Sequence, residues 1–311
     1  MSPVKTGKKI SCMHCLSIHL TDLCNGRCIF CVVSSPSSSF DTVLYDDIKS
    51  FLESNAYKGY DVVNLHGGEP TIHPKFFEIL EMIKRLGYAE IHLQTNGMCL
   101  ADKEFAKKTF EAGVNLFIVS LHGEKKERHE SQSRVNGSFQ RTIEGIKNVK
   151  ALKAKVKTNT VITRINLAYL NEIIELAANI GVDHINISNL HPVGISYSTR
   201  KNIMVILLEI QEPLEAAIDY ALQKGLRITL EGFPYCVLRP DHIPFHLDNL
   251  YRKVRMLMRG SIIEDYDKFM NQLRRHGNAC KNCSHRHKCG GVYPEYVEVY
   301  GWHGITAVAK N

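Results

Sequence analysis

Cys24, Cys28 and Cys31 lie in the segment CNGRCIFC, a C-x3-C-x2-C spacing. Three thiolates on one loop can hold three irons of a [4Fe–4S] cluster and leave the fourth iron without a local protein ligand. Structural zinc takes four closed ligands, so a triad at this spacing makes a poor zinc knuckle. An iron left open in this way is a place where a small molecule binds directly.

A second group near the other end reads C-x43-C-x2-C-x5-C, with Cys236, Cys280, Cys283 and Cys289. Four thiolates suit either zinc or a [4Fe–4S] cluster. Cys236 stands far from the other three, in Pro234-Tyr235-Cys236, and is counted with the metal set. Gly290-Gly291 allows the backbone close approach to whatever is bound. His285 and His287 read as surface residues beside an anionic cluster. Cys12 and Cys15 form a C-x2-C, but two ligands make no site, and a flexible segment without a role is an equal reading. Cys99 reads as a small buried apolar residue. Disulfides do not persist in a reducing compartment, so tight groups of cysteines there point to metal or redox chemistry.

Residues 16–20 and 61–66 have strand patterns, and 43–57 a helical one. Residues 34–39 are Ser-rich and read as a loop. After Pro74, apolar residues at helical spacing (Phe76, Ile79, Leu80, Ile83, Leu86) predict a helix closed by Gly87. Strands follow at 91–95, 114–121, 155–163 and 182–188, with helices at 102–113, 138–152 and 170–181 between them. Six alternations of strand and helix predict parallel strands joined by crossover helices, an open and partial version of an eight-unit barrel. Beyond residue 198 the pattern changes. A helix is expected at 203–224, a strand at 226–230, a basic helical stretch near 248–275 and a β-like aromatic tail at 292–308.

In a barrel of this kind reactive residues gather at the C-terminal strand ends. Cys24–Cys31, Gly67-Gly68-Glu69-Pro70, Thr95-Asn96-Gly97, Ser120 and Asn189 all fall there. The triad, with the aromatic Phe30 before its last cysteine, resembles the radical S-adenosylmethionine (SAM) superfamily. His66-Gly67-Gly68-Glu69-Pro70 is similar to that family's GGEP segment, and the polar positions at later strand ends follow in the family's order over residues 15–195. The resemblance implies that the triad holds a [4Fe–4S] cluster whose open iron chelates the amino and carboxylate groups of SAM. It implies SAM contacts from Phe30, Gly67, Gly68, Glu69, Thr95, Asn96, Ser120, Lys157, Asn159 and Asn189. Lys157 and Asn159 would lie near the carboxylate and ribose, and Asn189 near the adenine. Reductive cleavage of SAM to a 5′-deoxyadenosyl radical and hydrogen abstraction from substrate would follow, and this step needs no side-chain base.

The second group is similar to the auxiliary-cluster regions called SPASM and twitch. No cysteine follows Cys289, which favours one auxiliary [4Fe–4S] cluster, the twitch-like arrangement, with zinc as the alternative. If Cys236 is not a ligand, it is a candidate hydrogen-atom donor, as in some sugar epimerases of the family. The fold class expected is therefore α/β: a partial (βα)6 TIM-like barrel with a small C-terminal α+β auxiliary-cluster domain. The expected divisions are an extension (1–15), the barrel (16–198), a connecting helical region (199–229) and the cluster domain (230–311). The substrate pocket is expected at the barrel mouth, with the C-terminal domain as its lid.

The implied activity is hydrogen abstraction from a peptide or natural product, with crosslinking, epimerisation or oxidation as outcome. A sugar or aminoglycoside epimerase or dehydrogenase is the near alternative. Expected partners are an external electron donor such as flavodoxin or ferredoxin, and a separate leader-binding protein. A rival of another class is a non-catalytic zinc protein that binds nucleic acid. The charge argues against it: Lys and Arg exceed Asp and Glu by 39 to 32, without a strong basic stripe, and short groups such as Lys150–Lys157 and Arg252–Arg255 read as solvated surface. The 44% apolar and 23% charged composition excludes a mainly disordered chain. No apolar run approaches the roughly 18 residues of a membrane span, and no signal peptide is evident, so a cytoplasmic location is expected.

Overall fold

Alternating apolar residues build the strands, and the helices between them cover one sheet face. The computed structural model describes residues 13–33, 42–247 and 252–309. In chain order the elements are β1 (Met13–His19), α1 (Tyr45–Asn55), β2 (Val62–His66), α2 (Phe76–Arg85), β3 (Glu90–Thr95), α3 (Lys103–Glu111), β4 (Val114–Ser120), α4 (Lys126–Ser133), α5 (Ser138–Ala151) and β5 (Lys155–Val161). Then come α6 (Leu170–Asn179), β6 (His184–Ser188), α7 (Ile195–Ile203), α8 (Leu207–Gln223), β7 (Arg227–Glu231), β8 (Arg252–Met258), β9 (Ser261–Ile263), α9 (Tyr266–Leu273) and α10 (Pro294–Tyr300).

One sheet runs β7-β6-β5-β4-β3-β2-β1-β8-β9. Every pairing is parallel except β8 with β9. The six expected strand–helix units are present. The strand expected at 226–230 is β7, which extends the same sheet beside β6. The Ser-rich loop at 34–39 and Cys12 lie outside the described residues.

Two expectations are corrected. The stretch near 248–275 is not one basic helix, because β8 and β9 occupy its first half and only α9 is helical. In RKVRMLM the charges at 253 and 255 alternate with buried Val254 and Met256, a period of two rather than 3.6. Gly260, with φ +69°, turns the chain into β9. The tail is not β-like either. Pro294 starts α10, Gly301 at φ +59° follows it, and Tyr296, Val297 and Tyr300 fall on one helical face. The sequence also gave no sign of α4. Its segment KERHESQS is polar all round, yet it buries His129, Gln132 and Ser133.

The two faces of the sheet differ in chemistry. Leu16, Ile18, Val63, Leu65, Leu93, Phe117, Val119, Val156, Ile187 and Leu230 point to the helices and are buried. Each such side chain stabilises the fold by about 1.5–3 kcal/mol. The alternate residues face the barrel lumen and are polar on most strands, with Leu116 and Ile118 of β4 among the apolar exceptions. Ser17, Asn64 and Gln94 form one hydrogen-bonded chain across β1, β2 and β3. Asn159, Asn186, Ser188 and Glu231 form another across β5, β6 and β7. A closed eight-unit barrel fills this space with branched apolar side chains; here much of it is taken by polar contacts.

Helix α9 follows β9 and packs against β8. Its Tyr266 packs against Cys15, Val62 and Val254. Tyr266, Met270 and Asn271 share a second cavity with Glu231 of β7. Cys15 is therefore a buried strand residue. No described helix is long and apolar enough to cross a membrane.

Candidate active site and cysteine cavity

The loop carrying Cys24, Cys28 and Cys31 leaves the C-terminal end of β1 and is held from several sides. The Gly68 amide donates to Thr21 O at 2.6 Å and the Glu69 amide to Leu23 O at 2.7 Å. A Cβ on Gly68 would lie 2.2 Å from Leu23 O, so only glycine permits this approach. From the other side Arg27 N donates to Ser133 O and Ile29 N to Gln132 O, both on α4. Helix α7 adds Ser196 N to Cys31 O and the Thr199 hydroxyl to Ile29 O. Gln132 is fixed in turn: its amide donates to His122 O and accepts from Thr163. These α4 and α7 contacts were invisible to sequence reasoning, since no apolar period marks them.

Burial sets the state of the thiols. It pushes Cys24 up to about 11 and Cys28 up to about 12, and Cys31 rises too. Negative charge on neighbouring cysteines adds to the rise at Cys24 and Cys28. Unloaded, the three are protonated at neutral pH. They become thiolates only when a bound cation repays the charge, which is how iron displaces protons. Among the described residues no three His, Cys, Asp or Glu side chains converge on a point suited to a single metal ion. A zinc ion needs its thiolates about 2.3 Å from one centre. A four-iron cluster, with each thiolate on its own iron, makes no such demand.

Glu69 is wholly buried. Its Oε1 accepts from the Thr71 amide and hydroxyl and from the Thr95 hydroxyl at 2.7 Å. Its Oε2 accepts from Asn96 N at 2.7 Å. The carboxylate thus joins the loop after β2 to the loop after β3, and its side chain is committed to the chain itself. The Asn96 side-chain amide then donates to Asn25 Oδ1 at 2.6 Å, inside the cysteine loop. Phe30 is buried with its ring 4.3 Å from the imidazole of His122.

The remaining expected contacts divide by height in the barrel. Ser120 ends β4 and pairs in register with Asn159. Asn189 follows β6 and donates to Gly232 O from its side chain. Lys157 lies lower, opposite His184 at the start of β6, and its charge helps to hold His184 and His92 neutral after burial has done most of the work. Thus the triad, Gly67, Gly68, Glu69, Thr95, Asn96, Ser120, Asn159 and Asn189 lie toward the mouth, and Lys157 sits nearer the floor.

The second cysteine group converges despite its spacing. Cys236, Cys280, Cys283 and Cys289 all line one cavity, with Arg275 and Arg286 beside them. Burial pushes Cys236 up to about 11, and the charges of Cys289 and Cys280 add to the rise. Two amides, of Tyr235 and Gly291, donate to Cys289 Sγ at 3.4 Å. Such donors and the two guanidinium groups suit a thiolate-bound anionic cluster. His276 also lines the cavity and contacts Cys289 O; His287 is exposed outside it. Part of the C-terminal segment reaches the C-terminal strand ends, while Tyr266 of α9 packs near the starts of β1 and β2. Tyr293 stacks on His191 after β6, and Tyr296 receives the Leu207 amide.

The radical SAM superfamily model matches residues 18–177, just over half of the chain. The chain belongs to this superfamily. Membership implies SAM and a [4Fe–4S] cluster, and the donor set of Cys24, Cys28 and Cys31 fits that cluster. Among curated relatives, a probable GTP 3′,8-cyclase of Saccharolobus islandicus is 37% identical over 183 residues, covering 58% of this chain and 58% of the relative. The chain therefore spans little more than half the length of the first such relatives it matches. A probable GTP 3′,8-cyclase of Sulfurisphaera tokodaii is 30% identical over 240 residues, 77% of this chain and 71% of the relative. Among solved structures, Streptococcus suis SuiB bound to S-adenosylmethionine matches with TM-score 0.71 at 16% identity, covering 96% of this chain and 77% of that one. The structure of anSMEcpe with bound AdoMet matches with TM-score 0.58 at 20% identity, over 70% and 63% of the chains. At these identities the likeness shows the radical SAM barrel fold.

Proposed function

We propose that this radical SAM enzyme abstracts hydrogen from a peptide or natural product and uses one auxiliary [4Fe–4S] cluster, held by Cys236, Cys280, Cys283 and Cys289, to exchange electrons. The observation that carries this reading is the meeting of these four cysteines on one cavity. Four protein ligands leave no iron open to substrate, which favours an oxidative outcome such as crosslinking over direct substrate ligation. With Cys236 among the ligands, its alternative role as a hydrogen-atom donor falls away.

When bound, SAM and the first cluster would supply one-electron reductive cleavage of a sulfonium C–S bond, to methionine and a 5′-deoxyadenosyl radical, and removal of hydrogen from an unactivated carbon. The protein's part is placement. Cys24, Cys28 and Cys31 hold three irons. Gly67 and Gly68 bring the backbone close to the loop, and Glu69 fixes that approach. Ser120, Asn159 and Asn189 present polar groups at the mouth, and the polar lumen below receives the substrate. Tyr293, stacked on His191, and the segment carrying Cys280, Cys283 and Cys289 cover part of the mouth and help to exclude water from it.

A second reading has its own support. The curated relatives named probable GTP 3′,8-cyclases reach 30% identity over 77% of this chain, which favours cyclisation of a purine nucleoside triphosphate. SuiB, by contrast, is solved with its precursor peptide SuiA. The test is anaerobic reconstitution followed by iron, sulfide and zinc determination, then SAM cleavage with candidate peptides and with GTP. About eight irons per chain supports two [4Fe–4S] clusters. Substrate-dependent 5′-deoxyadenosine with GTP alone would replace the peptide reading. About four irons with one zinc would make the C-terminal site structural.

A further inference from the structure

Glu231 at the end of β7 and Arg274 just past α9 line one cavity. They carry opposite charges, yet the two do not pair. Among the described residues the Glu231 carboxylate meets only Asn186 Nδ2 and Ser188 Oγ, both at its Oε2, at 3.3 and 3.4 Å. Its Oε1 accepts from none of them. Opposite charges away from bulk water attract strongly, so their separation is a property of the scaffold. Asn186 and Ser188 hold the acid against β6, and are themselves tied to Asn159 and Thr229. Arg274 is buried, with its guanidinium 5.3 Å from the centre of the Tyr293 ring. A Cβ on Gly290 would lie 2.3 Å from Arg274 Nη1, so glycine makes room for it. A carboxylate has several acceptor positions and a guanidinium several N–H donors, so each can serve the chain and a ligand together.

The cavity has a defined place. Positions 266, 270 and 274 recur at helical spacing, so one face of α9 looks onto it. No residue of α9 is buried, although the helix packs against β8. On the other side an antiparallel bridge joins Arg275 to Val292. Successive side chains of extended chain point to opposite sides. Arg275 and Val292 accordingly line the cysteine cavity, and Arg274 and Tyr293 line this one. A group bound between Glu231 and Arg274 is thus one backbone layer from the cysteines. We propose that this cavity holds a peptide unit of the substrate, its N–H donating to Glu231 and its C=O accepting from Arg274. The proposal rests on the reading that the substrate is a peptide. A peptide unit offers one donor and one acceptor without net charge, which suits a fixed pair of opposite charges. A nucleoside triphosphate suits it less, since Glu231 and Asp267 are both acids and Arg274 is the one cation among the described residues that line the cavity.

The test uses the full reconstituted chain, with iron and sulfide measured first. Two probes are compared anaerobically by saturation-transfer NMR: N-acetyl-triglycine dimethylamide, and the same peptide with sarcosine for every glycine, which has no N–H. The proteins are the wild type, Glu231→Gln, Arg274→Lys and a remote control, Glu81→Gln on an exposed position of α2. In Glu231→Gln the side-chain oxygen stays with the Asn186 and Ser188 donors, so an N–H faces the cavity where the ligand needs an acceptor. The wild type and the control should bind the glycine probe at least tenfold more tightly than the sarcosine probe, as expected for a hydrogen bond to a charged group. Glu231→Gln should bind both probes equally weakly. Arg274→Lys keeps the charge but not the planar fork, and should weaken both probes alike, because both keep their carbonyls. Iron content should be the same in all four proteins. Equal affinity of the wild type for the two probes, an undiminished preference in Glu231→Gln, or no binding of either probe at millimolar concentration overturns the site. Failure of the reading beneath it shows differently: 5′-deoxyadenosine then forms with GTP and with no candidate peptide.

Discussion

The imidazole of His191 lies flat on the phenol ring of Tyr293, with centroids 3.9 Å apart and planes 12° from parallel. His191 follows β6 at the barrel mouth, and Tyr293 follows the last cysteine by four residues. The guanidinium of Arg274 lies 5.3 Å from the centre of the Tyr293 ring. One stack thus joins the mouth to the loop that lines the cysteine cavity.

Replacing Tyr293 by Phe should leave this stack intact, while Tyr293→Leu should remove it. An aromatic pair adds about 0.5–1.5 kcal/mol beyond its buried area. Thermal unfolding of the two variants should therefore differ by a few degrees, with Leu the lower, and Leu alone should raise solvent access at the mouth, read as faster quenching of a bound SAM analogue.

Glu69→Gln keeps the shape of the side chain but offers an amide where the structure presents only donors. Hydrogen bonds to a charged group are each worth about 1.5–3 kcal/mol. The variant should lose about 2–4 kcal/mol of stability and retain less iron at the first cluster, measured by urea unfolding and iron analysis. Full iron retention would show that the carboxylate does not hold the two loops together.

Cys28→Ala should reduce iron from about eight to about four per chain and abolish SAM cleavage. Cys236→Ala should remove a similar amount of iron while reductive SAM cleavage continues. If Cys236→Ala left the iron count unchanged, its place on the cavity would be incidental.

Acid should weaken the clamp on the cysteine loop. Burial lowers His129 from 6.5 to about 4 and holds its neighbour His122 well below its usual range. Folded, both stay neutral where the unfolded chain is protonated. Stability is therefore complete above pH 6.5 and is lost as pH falls toward about 4, by up to about 3 kcal/mol for His129. A thermal melting series from pH 7.5 to 4.5 checks this, and His129→Gln should flatten the profile.

Local patterns were the legible part of this sequence. The triad needs one loop, and each of the six strand–helix units signals itself by its own period, so both could be read residue by residue. Three features could not. Helix α4 is held by buried polar side chains, His129 and Gln132, which leave no apolar stripe. Strand β8 carries so many cations that its alternation of Val254 and Met256 was hidden. Cys236 meets Cys280 only because β7 ends beside the C-terminal segment, a relation set by tertiary packing. Glu69 was legible as important, but its work is to bind backbone and hydroxyl donors across two loops.

The position of β8 beside β1 has a consequence for how the chain is made. Strand β1 ends at residue 19, and its second neighbour is supplied only by residues 252–258. During synthesis, then, one whole edge of β1 keeps its amides and carbonyls unpaired while more than two hundred residues emerge. Such an edge is a template for pairing with another chain, and contacts so distant in sequence form slowly. The cysteine loop hangs from the end of that same strand. Nascent chains stalled before residue 252 should therefore be the most aggregation-prone, and lowering the growth temperature should help recovery of this protein more than adding iron does.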